Sequence, residues 1–260
     1  MAALMSLPQD PRVPGGSTYD QARVIAIVTN FYDFLATLPY VKPEHILRPP
    51  IEGWPSITRE YFIDELRKSE EVYQLLKHLP YLDQNRDLQK QYQIKPYTDP
   101  CDYRSAGLEG YKWGLTIEDQ ITPLGEESIP AWCVPLACQH EGQFGSYPVL
   151  DTSDGTITDC GFDVCYDDDQ ILYADDDPRA WRNKLSQTHS DPKDATVPIA
   201  EYFGRLREKF QKLEYIGFWD DQGSDFAGPR LEHAPPGYVH ASGHDETLQP
   251  STDVRAISSW

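Results

Sequence analysis

The stretch that most constrains this chain is residues 129–162, IPAWCVPLACQHEGQFGSYPVLDTSDGTITDCGF. Trp132, Val134 and Leu136 alternate with Cys133, Pro135 and Ala137. Period-two spacing sends the two sets to opposite faces of a strand. Pro135 has no N–H to give a ladder, so this strand lies at an edge or turns the Pro135 nitrogen away from its partner. Residues 140–145 (HEGQFG) are mostly polar and carry two glycines, as a hairpin connection does. Tyr147, Val149 and Leu150 predict a second strand. The DTSDG run at 151–155 predicts a tight turn, because Asp-Gly supplies left-handed backbone positions. Thr156, Ile157 and Thr158 begin a third strand. The stretch therefore reads as a three-stranded antiparallel meander.

Helices are expected on both sides of it. Val24, Ile27, Val28, Phe31, Phe34, Leu35 and Leu38 recur at three- and four-residue steps and predict an amphipathic helix over 18–38. Ser17 or Thr18 is its expected cap, with Asp20 and Gln21 at the reciprocal positions. Residues 40–57 (YVKPEHILRPPIEGWPSI) hold four prolines, which exclude a long helix and predict an ordered extended loop. Tyr61, Phe62, Leu66, Val72, Leu75, Leu76 and Leu79 predict helix over 58–79, with a restart at Ser69. Leu38-Pro-Tyr40 and Leu79-Pro-Tyr81 read as a shared stop signal. Tyr92, Ile94 and Tyr97 predict a strand, as do residues 111–121. Pro198 suits a first helical turn, and Ile199, Tyr202, Phe203, Leu206, Phe210 and Leu213 form the buried stripe of that helix. The expected fold class is α+β: a twisted, mostly antiparallel sheet with a central meander, backed by amphipathic helices. The expected organisation is a disordered start at 1–16, one domain over 17–220, and a largely disordered tail at 221–260.

Charge narrows the partners. Lys and Arg number 23 against 42 Asp and Glu, a net charge of −19. Such a surface repels phosphate backbones and anionic leaflets, so neither nucleic acid nor membrane is an expected partner. No run approaches the roughly 20 apolar residues of a membrane span. Five cysteines without a Cys-x-x-Cys pair read as reduced thiols. The chain is expected to be soluble and intracellular, cytoplasmic or nuclear.

Candidate chemistry is sparse. The Asp runs at 167–169 and 175–177 lack EF-hand spacing and read as a solvated acidic loop. Asp151 and Asp154 could pair as acid and base, but aspartates that bond their own turn are commoner. His140 lies two residues from Cys138, on one strand face, as a base for a thiol would. No P-loop, GxGxxG, GxSxG or HExxH pattern occurs. No cofactor, metal ligand or catalytic residue is assigned. Aromatic residues, 12% of the chain, carry the interaction argument. The candidate binding residues are Tyr40, Trp54, Tyr81, Trp132, Asp151 and Asp154, with loop 40–57 as the preferred patch.

The run Ile129-Pro, Trp132-Cys-Val-Pro-Leu136, a Gly-containing loop, then Tyr147-Pro-Val-Leu-Asp151-Thr and Gly155-Thr-Ile157 resembles the core of the SUKH superfamily. An acidic insertion and the helix Val197-Pro-Ile-Ala-Glu-Tyr-Phe203 to Leu206 resemble the variable insertion and closing helix of that family. The likeness covers about residues 129–216. Leu38-Pro-Tyr40 and Leu79-Pro-Tyr81 fit its early Leu-Pro phrase only in part, and the Asn-Gly loop that comes next in the family is missing here. The resemblance implies an α+β fold and a protein-binding role without enzyme activity, since members include fungal cell-wall regulators and bacterial immunity proteins. The first expectation is therefore a non-enzymatic interaction domain whose protein partner has a basic surface. The alternative is a small-molecule enzyme with its site between the meander and loop 40–57.

Overall fold

Val24, Val28, Phe31, Phe34 and Leu35 form the buried stripe of helix α1, Gln21–Ala36. The structure is a computed structural model and describes residues 13, 16–83, 92–105, 129–140, 145–161, 173–174, 176–182, 196–220 and 223–227. All of these fall in one unit, Met1–Pro229. The cap of α1 is Asp20, whose carboxylate accepts from the Arg23 amide at 2.8 Å, and not Ser17 or Thr18. Asp20 has extended backbone and sits three residues before that amide, which is the reach a capping side chain needs. Ser17 instead donates its hydroxyl to the Gly155 carbonyl in the meander turn.

The expected 58–79 helix divides at Ser69. A π-helical turn spans Glu60–Glu65 and stops where Arg67 takes a positive φ of 56°. Ser69 then caps α2, Glu70–His78, by accepting from the Val72 amide. Helix α3 is Ile199–Gln211, with Pro198 at its cap position and Tyr202, Phe203, Leu206 and Phe210 buried. Phe31 of α1 and Phe203 of α3 meet with ring centroids 4.9 Å apart.

Ten strands are described. In chain order they are β1 (Ile46–Leu47), β2 (Tyr81–Leu82), β3 (Thr98–Pro100), β4 (Cys133–Pro135), β5 (Ala137–Gln139), β6 (Ser146–Asp151), β7 (Thr156–Gly161), β8 (Thr196–Pro198), β9 (Ile216–Asp220) and β10 (Gly223–Ala227). The described architecture is α+β, and every described strand pair is antiparallel. The meander forms the sheet β4-β6-β7-β8. Register sets Val134, Leu150, Ile157 and Val197 in one row across it. That row belongs to the main core beneath the three helices. Cys133, Asp151 and Thr156 form the neighbouring row, which faces the other way because side chains alternate along a strand.

β4 is an edge strand, one of the two placements that Pro135 allows. Two of its carbonyls are taken by side chains. Lys68 donates to Cys133 O at 3.1 Å, and the Tyr103 hydroxyl donates to Pro135 O at 2.7 Å. At Leu136 the strand changes partner: Leu136 N donates to Pro148 O, while Leu136 O accepts from Cys101 N. β5 then pairs with β3.

Two further expectations are corrected. Tyr92 and Ile94 are buried core residues outside any strand. The chain turns sharply after them, with Tyr97 at a φ of 55°, and β3 begins only at Thr98. Residues 223–227, placed in the tail by their lack of periodicity, form β10 against β9. A ribbon held by main-chain bonds leaves little side-chain pattern to read. Gly217 of β9 lies flat on Tyr40, and any Cβ there would enter the ring. The strand expected over 111–121 and the segments 1–12 and 228–260 lie outside the described residues.

Candidate interaction site

The proline-rich loop is stitched to the end of α2. Gly53 N donates to Pro50 O at 2.8 Å, closing a turn in which Gly53 takes a φ of +76°. A Cβ on Gly53 would collide with the Lys77 main chain. Trp54 N donates to Lys77 O at 2.8 Å, and Trp54 Nε1 donates to Leu79 O at 2.8 Å. Carbonyls at a helix C-terminus have no partner within the helix, so this loop supplies their donors. The result is a rigid turn whose tip, Ile51, is 95% exposed.

Beneath that tip, Trp54 packs on Tyr81 with ring centroids 6.0 Å apart. The Arg104 guanidinium covers both rings, 4.9 Å from Trp54 and 5.9 Å from Tyr81. Arg104 also grips Asp102 through Nε at 2.9 Å and Nη2 at 2.7 Å. Burial works against the Arg104 charge, and the Asp102 carboxylate more than offsets it. The Tyr81 hydroxyl donates to Leu76 O at 2.7 Å, so this ring is held from below.

A second constellation closes the opposite face of the meander sheet. Arg182 Nη2 donates to Asp151 Oδ2 at 2.7 Å, to Asp154 Oδ2 at 3.0 Å and to Thr156 Oγ1 at 3.0 Å. Asp151 also accepts from the Ser153 amide, and Asp154 from the Thr156 amide, so both still serve their turn. Burial raises the Asp151 carboxyl above the usual carboxylate range, with Arg182 pulling the other way. Trp132 lies beside this centre, its carbonyl accepting from Thr152 N and Oγ1. Trp132 and Trp181 pack on Ile129, Cys133 and Val149. Lys68 is almost fully buried alongside, and burial pushes its ammonium down to about 8.

The six candidate residues thus separate into three places. Trp54 and Tyr81 share the loop patch, but Tyr81 is buried and only Trp54 keeps exposed surface. Trp132, Asp151 and Asp154 meet at the Arg182 centre. Tyr40 belongs to neither place: it is buried under Gly217 and donates its hydroxyl to Gln93 O at 2.9 Å, as part of the core.

The thiol–imidazole pairing takes another form. His140 Nδ1 donates to Asp99 Oδ2 at 2.7 Å. Cys138 and Cys101 are both free thiols, and a hydrogen bond from one to the other together with burial pushes the Cys138 thiol well above the usual range, which opposes nucleophilic use. Of the acidic runs, Asp177 forks with Arg179 and Asp176 is exposed, while 167–169 and 175 lie outside the described residues.

No protein-family model, curated protein or solved structure matches this chain. The site residues that the sequence pattern does not reveal are cations: Lys68, Arg104 and Arg182. Each stands among acidic or polar neighbours, where a basic residue normally reads as solvated surface. Trp181-Arg182, an aromatic beside a cation within an acidic stretch, is the one local hint of a buried anchor.

Proposed function

We propose that this chain is a non-enzymatic interaction domain of SUKH-like type, acting in the cytoplasm or nucleus on a protein with a basic surface. One observation carries the reading. The turn 50–53 holds Ile51 bare in solvent on a base too rigid to retract it. A large apolar side chain presented on a preorganised turn loses little entropy on docking, which favours a partner with a complementary pocket. Glu44, Glu52 and Glu60 are exposed around the same loop, with Arg48 and Arg59 exposed beside them and paired to Asp33 and Glu70, and the net charge of −19 favours basic partners for the chain as a whole. The partly exposed Trp54 behind the tip is a residue type that anchors interfaces.

The alternative, a small-molecule enzyme, draws on the Asp99–His140 pair, a carboxylate orienting an imidazole at the end of β5. The two readings separate by experiment. A photo-crosslinking amino acid is placed at position 51, and another at the exposed position 208 on α3, in cells that express the protein. A protein adduct formed at 51, absent at 208 and weakened by added salt is the expected result. Equal labelling at both positions would remove the interaction reading. Loss of a measurable turnover on His140→Ala, with crosslinking unaffected, would establish the enzyme.

A further inference from the structure

We propose that Trp54, Tyr81 and Asp102 form a guanidinium-binding site, filled within the chain by Arg104, at which an arginine of the basic partner exchanges with Arg104. The inference rests on the interaction reading above and names the chemistry its partner must bring. The site has the parts that select arginine. Two aromatic faces lie 4.9 and 5.9 Å from the guanidinium carbon, and one carboxylate accepts from Nε and Nη2 at 2.9 and 2.7 Å. A planar fork satisfies both requirements together, and the compact ammonium of lysine does not.

The site keeps its shape without the Arg104 side chain. Trp54 is fixed by its bonds to Lys77 O and Leu79 O, and Tyr81 by its bond to Leu76 O. Asp102 is aimed by the Arg104 main-chain amide, which donates to Oδ1 at 3.0 Å. None of these bonds involves the guanidinium, so removing it leaves a preorganised cradle. The site borders solvent, because the Arg104 side chain that covers the buried Tyr81 and Asp102 is itself 24% exposed. Exchange of one guanidinium for another conserves the contacts, so it costs little in the site itself. Docking of the partner on Ile51, three residues before Trp54 in the same loop, makes entry of its arginine an intramolecular step and so raises that arginine's effective concentration at the site.

The test uses the full chain carrying Arg104→Ala or Arg104→Gln, with Nα-acetyl-arginine amide and a short arginine-rich peptide as probes. Matched lysine compounds at equal ionic strength are the controls. The arginine probes should raise the melting temperature of both variants and leave the wild type unchanged. The peptide should bind Arg104→Ala about tenfold more tightly than wild type, a difference within the range of one desolvated cation–π contact. Adding Trp54→Leu should abolish the gain. If neither variant gains from arginine, including when it is present during refolding, or if lysine serves equally, the proposal is wrong. This experiment uses purified protein and no partner. Its failure is therefore told apart from failure of crosslinking at position 51, which would remove the interaction reading instead.

Discussion

Arg182 Nη2 lies 2.7 Å from Asp151 Oδ2, and neither side chain retains any solvent-exposed surface. The pair joins the turn after residues 176–180 to the row of the meander sheet that faces away from the helices. Such a pair contributes little net stability over an apolar replacement, but breaking one half strands a charge where water cannot reach it. Arg182→Met should therefore destabilise the fold by about 3–5 kcal/mol in urea unfolding. Asp154→Asn should cost less, since Asp154 sits at the rim with an 18% exposed side chain. A loss under about 1 kcal/mol for Arg182→Met would show that the centre is not closed in solution.

Lys68 gives the fold a measurable pH dependence. Its ammonium falls from an ordinary 10.5 to about 8 because burial disfavours the charge. Between these values the unfolded chain binds the proton and the folded chain does not, so stability rises with pH across that window. The gain relative to Lys68→Met should reach about 2–3 kcal/mol by pH 10. Parallel stability curves for the two proteins from pH 7 to 10 would show instead that Lys68 stays protonated in the fold.

Phe210 is the aromatic hub of the helix layer, meeting Phe34, Tyr40 and Tyr215 with ring centroids 6.3, 6.4 and 5.8 Å apart. Phe210→Ala should cost about 3–5 kcal/mol, and Leu206→Ala about 2–5 kcal/mol. A near-neutral result in chemical denaturation would make α3 peripheral to the sheet it covers.

Ile51 separates binding from stability. Nothing buries its side chain, so Ile51→Asp should change unfolding free energy by no more than about 0.5 kcal/mol. The same change should abolish crosslinking from a probe at the exposed position 56. A variant that unfolds, or one that still captures the partner in full, would refute the role given to the loop tip.

The meander was legible because its signals are local. Alternation at 132–137 and 147–150, an Asp-Gly turn and a proline that forbids one hydrogen bond all lie within about 30 residues, where register follows from the pattern. The same holds for the restart at Ser69 and the stripes of α1 and α3. Tyr40 and Tyr81 looked equivalent because each follows Leu-Pro; one lies beneath Gly217 and the other beneath Trp54, and only distant chain segments make that difference. By itself the sequence determined the helices α1, α2 and α3 with their apolar faces, the strands of the meander, and the acidic balance of the chain. Tertiary structure alone decided which charges are buried. Arg182 reaches Asp151 across 31 positions and Lys68 reaches Cys133 across 65. Burial of a cation depends on which distant carboxylate or carbonyl the fold brings to it, and no periodicity along the chain encodes that meeting.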